Sequence, residues 1–200
     1  MRNKDFGLVG AIASYIDNGK VSVYCPDGID VESFYNKLMH PADRMRMYSS
    51  AYENVIVRDV FDFARRECAA HRLAVCAASL GAYHAANIAF RHPDAICLLN
   101  SLSGSFDISP FFDGYHDDNI YFNSPYHYLP NMPDPWKYNH MGIILGTGEW
   151  DNTRDESYRL SALLNAKGIK HWLDDGRWRG HDWNDWNYWQ DMLPYYLSRL

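Results

Sequence analysis

Short apolar runs of strand length alternate along this chain with segments of helical periodicity, and no hairpin signal joins two runs directly. Leu8, Ile12, Tyr15 and Ile16 stand at helical spacing, and Asn18-Gly19 ends that helix. Residues 21–25 form a β-rich run closed by Pro26-Asp27-Gly28, a turn signature. From Tyr52, the positions Val55, Ile56, Val60 and Phe63 trace a second amphipathic helix. The apolar run 73–78 follows, then a helix from Leu80 that ends by Pro93. Residues 95–99, 142–145 and 169–173 read as further buried strands, and Leu160, Leu163 and Leu164 mark a helix stopped by Gly168. Trp186, Trp189, Leu193, Tyr196, Leu197 and Leu200 line one side of a closing helix. The alternation predicts an α/β fold, with a mainly parallel sheet covered by helices on both faces.

With 200 residues the chain reads as a single domain. A chain of this length buries roughly 70% of its unfolded surface, enough for a core without staples. The stretch 105–140 interrupts the alternation. It is rich in Pro, Asn, Tyr and Phe and too long for a plain connection, so it is expected to be a lid or pocket-wall excursion. The net charge of -6 and the thin basic runs, Arg44-Met45-Arg46 and Arg65-Arg66, argue against a nucleic-acid surface.

The four cysteines, Cys25, Cys68, Cys76 and Cys97, contain no C-x-x-C pair. Three lie in apolar runs, where a thiol is expected to act as a small hydrophobe rather than as part of a disulfide framework. No apolar h-region follows the amino terminus and no run reaches membrane-spanning length, so a reduced, cytoplasmic protein without a membrane partner is expected.

The chemistry gathers around Leu73-Ala-Val-Cys-Ala-Ala-Ser79-Leu-Gly81. A strand runs into a serine and at once into a helix, the context in which a sharp turn lifts a serine hydroxyl above a parallel sheet. Small residues are needed two before and two after that serine; here they are Ala77 and Gly81. The helix start places the Leu80 amide where an oxyanion could be stabilised. The plainer alternative is that Ser79 merely caps a helix.

A serine hydroxyl needs a neighbouring base, itself oriented by a carboxylate. Downstream, the run 142–145 empties into Gly146-Thr-Gly148-Glu-Trp-Asp151, and Gly180-His181-Asp-Trp183 precedes the closing helix. An acid and then a histidine, each after a strand end, complete the order that such a serine requires.

The runs Ser79-Leu-Gly-Ala-Tyr-His84, Tyr121-Phe-Asn-Ser-Pro125, Gly148-Glu-Trp-Asp151 and Gly180-His-Asp-Trp183 resemble the esterase D-like family of α/β-hydrolases over nearly the whole chain. The resemblance implies a serine esterase acting on small carboxylic esters without a cofactor. Ser79 would be its nucleophile, His181 its base and Asp151 the orienting acid, with Glu149 and Asp155 as the fallback acids. Tyr83, His84, Tyr121, Trp150 and Trp183, inside these motifs, are the candidate pocket residues. The chain departs from the family by beginning after strands that usually precede the first helix. One of those strands ordinarily lies between the run 21–25 and the run leading to Ser79. The departure motivates an alternative: a catalytically weak relative serving as a binding module or a homo-oligomer that covers an open sheet edge. His116-Asp117-Asp118 has no second cluster at ligand spacing, so no metal site is expected. Ser101 and Ser103 follow a strand with no helix behind them, which makes a second elbow there unexpected.

Overall fold

The computed structural model describes residues 7–68, 73–178 and 187–199. Four strands, β1 (Leu73–Ala78), β2 (Ile96–Leu102), β3 (Gly142–Gly148) and β4 (Trp172–Trp178), form one sheet. All neighbours pair parallel, in the order β1-β2-β3-β4. The chain therefore moves steadily across the sheet, and every strand delivers its carboxyl end to the same edge.

Helices cover both faces. Along β2, Leu99 faces one side with Ile143 and Leu145 of β3, packed with α5 (Leu80–Arg91) and α8 (Arg154–Ala166). The alternate residues Leu98 and Leu102, with Ile144, face the other side, against Trp189, Met192 and Tyr196 of α9 (Asn187–Leu197). The short helices α1 (Leu8–Ala11) and α2 (Ala13–Asp17) precede Gly19, whose φ of 66° stops the run as Asn18-Gly19 predicts. This period-2 division is what a sheet buried on both faces requires.

Three expectations need correction. Residues 21–25 are not a strand; they lie in an irregular stretch. β propensity alone does not make a strand without a ladder partner. The second helix begins well before Tyr52: α3 (Pro41–Arg46), capped by the His40 side chain with Pro41 in its first turn, runs through π-helical turns at Met47–Tyr52 and Val55–Val60 into α4 (Phe61–Cys68). The last strand starts at Trp172, and Ile169 is buried ahead of it.

No disulfide joins the cysteines among the described residues, and Cys25 and Cys76 are exposed rather than packed as small hydrophobes. Among the described residues β1 is an edge strand of the sheet. Leu73 N–H donates to Ala95 C=O and Ser79 N–H to Leu102 C=O, so these odd positions face β2. By alternation, the N–H and C=O groups of Ala74, Cys76 and Ala78 point to the open edge.

The excursion 105–140 folds into short helices, including α6 (Asp118–Phe122) and α7 (Pro125–Tyr128), and sends Phe106, Ile108, Phe112, Ile120, Tyr128, Leu129 and Tyr138 into the core. Polar ties pin it to the rest of the fold, two of them near its start. Buried Arg44 donates from Nη1 to Phe34 C=O (3.2 Å) and Phe111 C=O (2.7 Å), and from Nη2 to Asp113 (2.8 Å). Glu156 of α8 accepts from Phe106 N–H at 2.7 Å and from Asp107 N–H. Among the described residues, no helix is long and apolar enough to cross a membrane.

Candidate active site

Ser79 joins β1 to α5 with φ 54° and ψ −126°. An L-residue pays strain to occupy that region, and such residues cluster at functional sites. A serine that merely caps a helix has extended backbone angles and bonds its hydroxyl to a first-turn amide. Ser79 has neither: its angles are not extended and its side chain makes no capping bond. Its backbone, by contrast, is anchored, donating to Leu102 C=O at 2.9 Å and accepting from Ala82 N–H (3.0 Å) and Ser105 N–H (3.1 Å). The turn is thus held by β2 and its following loop, and Ser79 itself is half-buried.

The small residues flanking Ser79 face one another across this turn. A methyl added at Gly81 would lie 3.3 Å from the Ala77 Cβ. One of the two positions can carry a methyl without crowding; Ala77 does, and Gly81 yields. Because the first helical bond runs from Ala82 N–H to Ser79 C=O, the Leu80 amide in the same turn has no intrahelical acceptor.

Asp151 follows β3 and is buried, with 6% of its surface exposed. One carboxylate oxygen accepts from Thr147 Oγ1 at 2.8 Å. The other accepts from the Thr153 amide (2.9 Å) and Thr153 Oγ1 (2.8 Å). These bonds fix the carboxylate in one orientation. Glu149 and Asp155 are both exposed, so Asp151 alone of the three acids is held in place by burial. Thr153 stands two residues past Asp151, the spacing of a local side-chain turn, so this signal was present in the sequence.

Register relates the two sites. Ala78 pairs with Leu102, and Leu102 with Gly146, so the ends of β1 and β3 stand in one row with β2 between them. Two interstrand spacings separate them, roughly 10 Å. His181 and Trp183 lie outside the described residues.

The remaining candidates are dispersed. Tyr83 is fully buried in the core and donates its hydroxyl to Asn123 C=O at 2.9 Å. His84 is buried among Phe34, Tyr48 and Tyr52, with Nε2 2.8 Å from Asp30 Oδ1. Both are parts of the packing under α5 rather than of an open pocket. Tyr121 is half-buried on α6, stacked on His127, and accepts from Asn131 Nδ2 at 2.8 Å. Trp150 is 78% exposed beside Asp151. Asp117 serves as the cap of α6, accepting from Ile120 N–H at 2.9 Å. An open groove of about 790 Å³ lies between residues 23–26 and the helical residues 58–66, and none of the candidate residues lines it.

Neither a family model nor a curated protein sequence matches the chain. Solved structures do. A ferulic acid esterase superposes with a TM-score of 0.59 at 18% identity, over 74% of this chain and 60% of its own. The S-formylglutathione hydrolase of Staphylococcus aureus superposes with a TM-score of 0.50 at 16% identity, over 75% of this chain and 64% of its own. This chain therefore spans less than two thirds of either protein. At such identity the likeness establishes the fold alone, a parallel sheet covered by helices, and leaves the activity to the residues.

Proposed function

We propose that the protein is a serine hydrolase that cleaves small carboxylic esters through an acyl-serine intermediate. The observation that carries this reading is the strained, uncapped Ser79 between β1 and α5. Ser79 Oγ attacks the ester carbonyl carbon while His181 takes the hydroxyl proton. The Leu80 amide donates to the oxyanion of the tetrahedral intermediate. His181 then gives the proton to the leaving alcohol, and water, activated by the same imidazole, releases the acid from Ser79. Asp151, locked by Thr147 and Thr153, holds the imidazole tautomer. The separation of roughly 10 Å between the ends of β1 and β3 suits an imidazole bonded to a group at each end. Trp150, Tyr121 and Trp183 are the side chains we carry forward as the pocket wall.

Intact mass after fluorophosphonate treatment tests the assignment. A single adduct on the parent, lost in Ser79→Ala and His181→Ala, is the expected result. No adduct on folded parent protein refutes it.

The open edge of β1 favours one second reading: a weakly active relative that assembles with copies of itself. Three N–H and three C=O groups on one strand edge are a ready template for another strand. Size-exclusion chromatography with light scattering decides: an oligomer supports assembly, whereas an active monomer removes it.

A further inference from the structure

The loop that leaves β2 and the helix that follows Asp151 are joined by one carboxylate. Glu156, in the first turn of α8, accepts from Phe106 N–H at 2.7 Å and from Asp107 N–H through the same oxygen. Phe106 is fully buried, so without that oxygen its amide is an unpaired donor away from water. The loop begins at Ser103, at φ 50°, whose amide donates to Gly146 C=O at 2.8 Å. Directly before Phe106, Ser105 N–H donates to the Ser79 carbonyl at 3.1 Å. On the helix side, the Glu156 amide donates to Thr153 C=O at 3.1 Å, and the Thr153 amide and hydroxyl lock one oxygen of Asp151. A continuous series of contacts therefore runs from Asp151 through Thr153, Glu156 and the 105–107 loop to Ser79.

The plainer account is that Glu156 merely anchors the excursion to α8. Other bonds already do so. Arg44 holds Phe111 and Asp113, and the Tyr126 hydroxyl donates to Glu156 C=O at 2.7 Å without using the carboxylate. What the carboxylate adds lies at the Ser79 end of the loop. One oxygen that takes two successive amides fixes the direction of the peptide as well as its place, and a charged acceptor makes bonds roughly twice as strong as a neutral one. We propose that Glu156 is a positioning residue. Its carboxylate fixes the 105–107 loop, and through Ser105 the turn at Ser79, against the helix that starts at the Asp151 clamp. The inference rests on the reading of Ser79 as nucleophile and Asp151 as its orienting acid. It adds that their separation is set by a side chain outside the reacting groups.

Substitutions in the whole chain test it. Glu156→Gln keeps an acceptor oxygen at the same reach and removes the charge. Glu156→Asp keeps the charge and draws it back by a methylene. Glu156→Ala removes the acceptor. Tyr126→Phe loosens the same loop from α8 without touching the carboxylate and serves as the structural control. Each is compared with the parent for kcat and KM on p-nitrophenyl acetate and for the rate of fluorophosphonate labelling, per folded molecule as read by urea unfolding. Misplacing a reacting group by about 1 Å costs roughly 10²-fold, so the alanine and aspartate variants should lose ~10-fold to 100-fold in kcat and labelling with KM unchanged. Glutamine should restore both to within about three-fold of the parent, and Tyr126→Phe should lose stability but keep kcat. If the alanine variant does not fold, aspartate against glutamine decides. A labelled parent whose folded aspartate and alanine variants stay within about two-fold in kcat overturns the positioning role alone. Glutamine falling as far as aspartate overturns it equally, because the bonds and not the charge carry the position. A parent that neither labels nor turns over the ester overturns the nucleophile reading and the positioning role together.

Discussion

The strain at Ser79 can be measured directly by giving the position the residue its backbone favours. At φ 54° and ψ −126° a serine Cβ lies in a region that glycine enters freely. Holding a non-glycine residue there costs about 1–3 kcal/mol. Ser79→Gly removes that cost and loses about 0.5–1 kcal/mol to the greater freedom of the unfolded chain. The net change is a stabilisation of about 1 kcal/mol, within a range of roughly 0–2.5 kcal/mol. Ser79→Ala keeps the Cβ and therefore the strain. It also forfeits no capping bond, because the Ser79 side chain makes none. Its stability should stay within about 0.5 kcal/mol of the parent. Urea unfolding of all three proteins at one pH reads the order directly, and for a chain of this size the glycine variant should melt about 2–4 °C above the alanine variant. Both variants should lose fluorophosphonate labelling. If glycine proves no more stable than alanine, Ser79 is not strained, and the argument from the elbow to a nucleophile fails with it.

Three further outcomes follow from other parts of the fold. Gly81→Val should destabilise by about 1–3 kcal/mol through overpacking against Ala77, whereas the paired exchange Ala77→Gly with Gly81→Ala should unfold in urea close to the parent, since the contact is only inverted. The Asp113 carboxyl is held below its ordinary range by bonds from Lys37 and then Arg44. A depressed folded-state value means that this stabilisation is present above the ordinary Asp range and is lost as pH falls through the depressed value. Asp113→Asn, whose amide tolerates the φ of 56° at this position, should therefore be less stable than the parent at neutral pH, and the gap should close as pH falls below the ordinary Asp range in parallel urea titrations. If chromatography reveals an oligomer, Ala74→Lys at the open edge of β1 should shift it toward monomer; an unchanged elution volume would place the interface elsewhere.

The sequence and the structure part company where pairing, rather than local pattern, decides. The elbow was legible because the period changes abruptly: six apolar residues, one serine, then a helical face. The strand β2 runs past its apolar stretch through Asn100 and Ser101, and β3 through Gly146 to Gly148, because ladder bonds to neighbours continue where hydrophobicity stops. Residues 21–25 show the converse, with strand composition in an irregular stretch. The polar start of the helical run at Pro41 was hidden from an apolar-periodicity reading, although His40 and Pro41 carried a capping signal. Asp151 could be placed from sequence by its position after a strand, and its Thr147 and Thr153 clamp could have been read from spacing. Ser103 could not. Serine has no preference for positive φ, and its conformation arises only where β3, the elbow loop and α9 meet. The strand-to-helix turn at Ser79 and the acid after β3 can thus be read from order along the chain, whereas the contacts that hold the strand ends in mutual register emerge only from tertiary structure.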